Sequence, residues 1–396
     1  MQKAALRWRD FRFLQKLVSM YIPPSHQRLF FVRLPLIVAV FFFLAALSQA
    51  DARGPVWNPA RTWVFAVGVL NFDDPSLATW PDEGRVDARM IEVYRQRGVP
   101  EDHILFLKNE DATKARVMAE FVRFLRRSGE GDTLVFYYAG HGGRDYTDSA
   151  RPVSFVTYDT SSTWSTTSIL DAIERHFHGT KALLTVDCCH SGALADEAAQ
   201  RNGHIQFGVI TSSQASAKST GNWTFTQCLV DLLRAKPQLD FDHDGEITFR
   251  ETARYCDLEM AFTENQRVAQ KTSGGFPEDL VMAEAADGAA SRVGERCEAE
   301  YEGKWYKVKI LAAKDGQFKV TWIGWPKDQN SWVGADQLRR YSPKSWAADT
   351  AVEIEWRGNW YPGRVVRSEL GLLLVHYDGY PDTDDEWMPV SRVRRH

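Results

Sequence analysis

Five cysteines in 396 residues is a small and odd number. It excludes a disulfide-stapled scaffold and leaves at least one thiol unpaired within the chain. Net charge is also scarce: 48 Lys and Arg against 52 Asp and Glu give −4. A general nucleic-acid binder, which needs a strongly basic surface, is thereby disfavoured. Long apolar runs are lacking as well. The stretch LPLIVAVFFFLAAL, 34–47, is short of the roughly 20 residues that a membrane span requires. What the chain has is length, too much for one ordinary core, which predicts two or three domains.

The first residues read as an address. Lys3, Arg7, Arg9, Arg12, Lys16, Arg28 and Arg33 precede the apolar stretch, and SQADARG follows it. A basic lead, a short apolar segment and small residues at Ser48 and Ala50 predict a secretory signal over 1–52, cut before Asp51 or after Ala52. An uncleaved signal anchor is the alternative, and Met20 is a second candidate start. The folded part is expected outside the cytoplasm, either exported or anchored by this segment.

From about 58 to 286 apolar runs alternate with amphipathic stretches. TWVFAVGVL, HILFL, TLVFYYAG, VSFVTY, ALLTVD and FGVITSS predict six strands, several without alternation, as strands buried on both faces should be. GRVDARMIEVYRQRG, TKARVMAEFVRFLRRSG and STTSILDAIERHFHG predict helices between them. The fold class is therefore α/β: a three-layer α/β/α sandwich on a mostly parallel six-stranded sheet. Functional groups on such a sheet gather beyond the C-terminal strand ends. TLVFYYAG is followed by His141-Gly142-Gly143, and ALLTVD by Cys188-Cys189-His190-Ser191-Gly192. Both segments deliver a reactive residue type to one rim.

A thiol attacks a carbonyl as thiolate, so it needs a base or a positive charge beside it. An imidazole from the neighbouring strand supplies that base and then protonates the leaving amine. Backbone N–H groups of Gly142 and the nucleophilic cysteine are candidates for the oxyanion hole.

FYYAGHGG together with DCCHSG resembles the caspase fold, and more closely its metacaspase and bacterial caspase-like branch, over about 61–285. The resemblance implies a cysteine endopeptidase with a His141–Cys189 dyad. Its Asp-x-Cys-x-Ser-Gly register puts the nucleophile at Cys189. Cys188 then takes a position usually held by Ser or Ala, as a small buried hydrophobe. Asp187, and less securely Asp87, correspond to acids that line the family's primary specificity pocket. A carboxylate there implies a protein or peptide substrate cut after Arg or Lys. The Gln-Ala-Cys-x-Gly signature of Asp-cutting caspases is absent.

DFDHDGEITFRE, 240–251, has the spacing of a twelve-residue calcium loop. Asp240, Asp242 and Asp244 hold positions 1, 3 and 5, Glu246 offers a carbonyl at 7, and Glu251 a bidentate carboxylate at 12. Ca2+ is thus the expected metal, in a single hand of modest affinity, and no organic cofactor is indicated.

ADGAASRVGER reads as a linker over 287–296. Beyond it the chain repeats at a spacing of 55: YEGKWYKV matches WRGNWYPG, and VTWIGW matches VHYDGY. Two small all-β modules, 297–341 and 350–396, are expected. Trp305, Tyr306, Trp322, Trp325 and Trp332 correspond to Trp360, Tyr361, Tyr377, Tyr380 and Trp387. The pattern resembles the Tudor, agenet and chromo-barrel group of SH3-like barrels, in which aromatics can cage a cation. These rings either fill two very small cores or form a binding face for a peptide, a cell-wall component or the enzyme's own substrate. A catalytically silent caspase-like scaffold whose tandem barrels bind a partner is the alternative reading of the whole chain. Retention of both His141 and Cys189 favours the enzyme.

Overall fold

The computed structural model describes residues 54–145, 152–160, 163–286 and 292–395. The expected signal, its cut and part of the linker lie outside the described residues. Among the described residues no helix is long and apolar enough to cross a membrane.

The peptidase-like part carries eleven strands: β1 Thr62–Gly68, β2 Ile104–Lys108, β3 Thr133–Ala139, β4 Gly142–Gly143, β5 Ser154–Val156, β6 Thr163–Ser165, β7 Lys181–Asp187, β8 Gln206–Thr211, β9 Glu246–Thr248, β10 Ala269–Ser273 and β11 Val281–Glu284. Six helices accompany them: α1 Val86–Gln96, α2 Lys114–Leu125, α3 Thr166–His176, α4 Gly192–Ala199, α5 Thr224–Leu233 and α6 Phe249–Thr263. The main sheet has the order β10-β8-β7-β3-β1-β2, all pairs parallel except β10 on β8. Every residue of β1 is buried, and β3 and β7 are nearly so, because apolar clusters cover both faces of the sheet.

The expected six-stranded count holds, but one member differs. VSFVTY, expected in the main sheet, supplies β5 of a separate antiparallel sheet β4-β5-β6. There Phe155 stacks on Tyr138 with ring centroids 4.6 Å apart. The sixth place is taken by AQKTS, β10, a polar edge strand with one buried residue. An edge strand needs no apolar run, so nothing in its composition marks it.

β12 Arg296–Tyr301, β13 Lys304–Lys314, β14 Gln317–Trp322, β15 Ser331–Gly334 and β16 Leu338–Arg340 form the first barrel. β17 Ala351–Trp356, β18 Asn359–Glu369, β19 Leu372–Tyr377, β20 Glu386–Pro389 and β21 Val393–Arg395 form the second. Their strand orders are equivalent, and each has a register shift at the same place, Ile310/Ala312 and Val365/Arg367. Both are docked on the α6 segment. Buried Glu259 accepts from Arg296 at 2.5 Å and Lys309 at 2.7 Å. Arg267 pairs with Asp257 at 2.7 Å and Glu369 at 2.9 Å, and lies over the Trp387 ring. A carboxylate as buried as Glu259 requires such partners.

Candidate active site

β3 and β7 are neighbours in register, with Ala139 opposite Asp187. His141 and Cys189 each follow two residues later, so the two strands bring them to the rim at one level. Both line a cavity of about 120 Å³, together with Asp187, Trp80 and the segment Ser219–Trp223. The imidazole is flanked by Phe72 at 5.0 Å and Trp80 at 4.7 Å. Its Nε2 lies 2.8 Å from the Ala78 carbonyl. A carbonyl only accepts, so Nε2 carries a proton, and in the neutral ring Nδ1 then keeps the lone pair.

The Cys189 thiol is partly exposed. The Ser219 N–H donates to its Sγ at 3.2 Å, an interaction that strengthens when the sulfur is a thiolate. The turn carrying it is pinned from behind. The Cys188 carbonyl accepts from Ser213 Oγ at 3.0 Å, and the His190 N–H donates to Ala217 O at 2.8 Å. Cys188 is buried in the apolar cluster with Tyr138 and Leu194, and burial, with Cys189 and Asp187 near it, pushes its thiol well above the ordinary value. Of the two adjacent thiols, Cys188 is the buried one and Cys189 the accessible one.

Two glycines are fixed by close approach. A Cβ on Gly142 would stand 1.9 Å from the Cys189 carbonyl oxygen, and one on Gly192 would stand 2.5 Å from the Ala215 nitrogen. The Val156 N–H donates to His141 O, which makes Gly142–Phe155 a non-hydrogen-bonded pair and turns the Gly142 N–H away from β5.

Asp187 forms part of the cavity wall. Its Oδ2 accepts from Thr226 Oγ1 at 2.7 Å, and Thr226 Oγ1 lies 2.8 Å from the Tyr137 hydroxyl. Thr226 spends its one proton on Asp187, so Tyr137 donates to Thr226. Burial, outweighing the bonds from Thr226 and Ser212, pushes the Asp187 carboxyl up from 3.8 to about 6.

Asp87 is placed differently from the sequence expectation. It is fully buried and does not line the cavity among the residues described there. Arg85 holds it in a two-point pair, Nε–Oδ1 3.0 Å and Nη2–Oδ2 2.7 Å. The same guanidinium donates to the Gly68 carbonyl at 2.8 Å and to Asp82 at 2.8 Å. Both oxygens of Asp87 are thus engaged by Arg85, and that partner, two residues earlier, carries no sequence motif of its own. Nor do Ala78, Ser219 and Thr226. The first two act through backbone groups, which have no residue signature.

The acidic loop gathers its aspartates at one point. One carboxylate oxygen from each of Asp240, Asp242 and Asp244 lies within 4.8 Å of the others. Asp240 Oδ1 is buried without a hydrogen-bond partner, which leaves a lone-pair set for a metal. Gly245 turns at φ +91°, and its N–H donates to Asp240 Oδ2 at 3.0 Å. Glu251 accepts from the Phe241 and Thr248 N–H groups at 2.8 and 2.9 Å, capping α6 from inside the loop. β9, which contains Glu246, pairs with β11.

Comparison with known proteins adds the following. Residues 100–198 match the family described as metacaspase, peptidase C14 domain. No curated protein matches the chain. Caspase-1 from Spodoptera frugiperda is 14% identical, covering 60% of this chain and 97% of its own, at a TM-score of 0.40. A protein from Geobacter sulfurreducens is 16% identical, covering 56% of this chain and 100% of its own, at 0.39. AGDP1 AGD34 from Arabidopsis thaliana is 14% identical over 26% of this chain and 80% of its own, at 0.13. Over the segment that carries His141 and Cys189, the chain thus matches the metacaspase branch of the C14 peptidases.

Proposed function

We propose that the protein is a cysteine endopeptidase that hydrolyses polypeptides after Arg or Lys, with Cys189 as nucleophile and His141 as base. One observation carries this reading: thiol and imidazole end adjacent strands and share a cavity, with the imidazole tautomer fixed by Ala78. Nδ1 takes the proton from Sγ, and the thiolate adds to the substrate carbonyl carbon. The carbonyl oxygen takes up the π pair as an oxyanion facing the Gly142 and Cys189 N–H groups. The tetrahedral adduct collapses and expels the amine, which receives the proton from Nδ1. Water, deprotonated by the same imidazole, then hydrolyses the thioester and restores the thiol. Asp187, ionised, receives the substrate's guanidinium or ammonium.

Asp240, Asp242, Asp244, the Glu246 carbonyl and Glu251 are suited to hold Ca2+, which would supply charge neutralisation among the three aspartates. Chelation is expected to lower the melting temperature, since α6 starts inside this loop. The proposed setting is outside the cytoplasm, in keeping with the first 52 residues.

The direct test is hydrolysis of fluorogenic peptides ending in Arg, Lys or Asp, with calcium and a reductant, by the parent and Cys189→Ala. Arg and Lys substrates should turn over in the parent and not in the variant. Equal rates in the two would end the assignment. Cys188→Ala should keep its activity.

A further inference from the structure

The two barrels share a strand order and a 55-residue offset, yet their aromatic clusters are in opposite states. In the first, Trp325 stacks on Trp322 at 5.4 Å and 26° and also meets Tyr301 at 5.7 Å and Tyr306 at 5.3 Å. The indole occupies the middle of its own cluster. In the second, the equivalent Tyr380 meets one ring of the arc, Tyr377, at 6.2 Å. Tyr377 leads to Tyr361 at 6.4 Å, and Tyr361 to Trp356 at 6.1 Å. The arc is open, and a cavity of about 500 Å³ lies against it. Trp356 is 43% exposed and Tyr380 53%.

The rims differ too. The first barrel has Lys327-Asp-Gln-Asn-Ser331, and the second has Asp382-Thr-Asp-Asp-Glu386 at the same place. The remaining wall comes from the peptidase-like part: Arg144, Asp145 and Ser216. Arg144 and Asp145 follow the His141-Gly142-Gly143 segment directly, and Ser216 belongs to the loop that continues to Ser219. The second cavity is therefore lined by the same two loops that shape the first. Four carboxylates, of Asp145, Asp384, Asp385 and Glu386, face it against one guanidinium. Asp385 accepts from His376 at 2.8 Å and Glu386 from the Tyr377 hydroxyl at 2.6 Å, bonds that hold the carboxylates in place.

We infer that this arc is an exosite for a second basic side chain of the polypeptide substrate, one lysine or arginine held against Trp356, Tyr361, Tyr377 and Tyr380 while another enters the cleft floored by Asp187. Ring faces attract a cation, and an acidic rim adds a charge preference that the neutral rim of the first barrel cannot give. Engagement of both sites by one chain raises the effective concentration at the scissile bond without any new contact there. The inference rests on the polypeptide-cleaving reading above, and its test is separable from it.

The experiment uses the full chain with Cys189→Ala, so bound peptide is not turned over. Fluorescein-labelled Gly/Ser-rich peptides carry two arginines at a series of spacings. In the paired peptides the second arginine is replaced by citrulline, which keeps the shape and loses the charge. Fluorescence anisotropy should show, at one spacing or more, about fivefold tighter binding of the two-arginine peptide. The double change Asp384→Asn/Glu386→Gln should erase that difference. Asp384 is exposed and Gln can still accept from Tyr377, so this variant should keep the parent's circular dichroism and melting temperature. Equal affinities at every spacing would overturn the exosite, and so would a difference that persists in the double variant. Since affinity is read on a chain that cannot cleave, either result stands whether or not the parent proves to be a peptidase.

Discussion

The molecule presents two negatively lined cavities that recruit the same loops but obtain their charge by different physics. The cleft at the ends of β3 and β7 relies on one carboxylate, Asp187, that is desolvated, tied to Thr226 and pushed up to about 6. The barrel cavity relies on several carboxylates at an aromatic rim, with Asp384 exposed. An acid half-buried against Thr226 is gated by pH. Wet acids are individually weak, screened by salt and effective through number.

The largest effect should come from separating the two sites chemically. Cys189→Ala is expected to remove peptide hydrolysis by at least about 10³-fold while leaving arginine-peptide binding at the barrel cavity intact. Steady-state rates and anisotropy on one preparation would check this, and loss of both together would break the comparison.

Asp187→Asn should come next. Preference for Arg over a neutral residue should fall on the order of 10²-fold in kcat/KM. The same change should stabilise the fold. The folded carboxyl binds its proton more tightly than the unfolded one, so the parent loses stability as pH rises from 3.8 to about 6. The amide escapes that loss, by an amount on the order of 3 kcal/mol at neutral pH. Melting curves of parent and variant should converge at acid pH and separate above it.

The pH dependence of ligand binding has the opposite sign. An amidinium, like a guanidinium, pairs with ionised Asp187, so inhibition by benzamidine should tighten as pH rises through about 6 and level off above. An inhibition constant that is flat across this range would contradict a raised Asp187 carboxyl in the cleft.

The smaller effects concern the barrels. Raising salt from about 0.05 M to 0.5 M should weaken the two-arginine advantage by roughly threefold, with less change at the cleft, because the Debye length shrinks below the size of the arc. Trp325→Ala should lower the melting temperature by a few degrees, while Tyr380→Ala, on a ring 53% exposed, should leave it nearly unchanged. Equal losses would mean that the two clusters are equally packed.

Much of this was legible in the sequence, for identifiable reasons. Buried parallel strands write continuous apolar runs, so β1, β3, β7 and β8 and the residues beyond their ends could be found. The acidic loop was visible because its acids are side chains at fixed spacing. The 55-residue repeat gave both barrels. What failed was set by partners rather than composition. β10 is polar because it lies at an edge, and β5 was claimed for the wrong sheet because Val, Phe and Tyr mark a strand without saying which one it joins. Asp87 was recognisable as an acid, but whether an acid is free depends on a neighbour such as Arg85 that turns back onto it. The difference between an open arc and a filled one hangs on where a single ring falls, Trp325 or Tyr380, and the aligned motifs conceal it.

The Ala78 carbonyl that steadies the imidazole belongs to the main chain, and every amino acid carries one. Replacing the alanine therefore leaves that anchor standing. To dislodge it one must reroute the path of the loop, and the natural lever is Trp80, whose ring leans on His141 and whose indole nitrogen crowds Gly221 across the mouth of the cleft. Loss of function by drift should thus accumulate at an aromatic that performs no chemistry, sooner than at the position that supplies the oxygen.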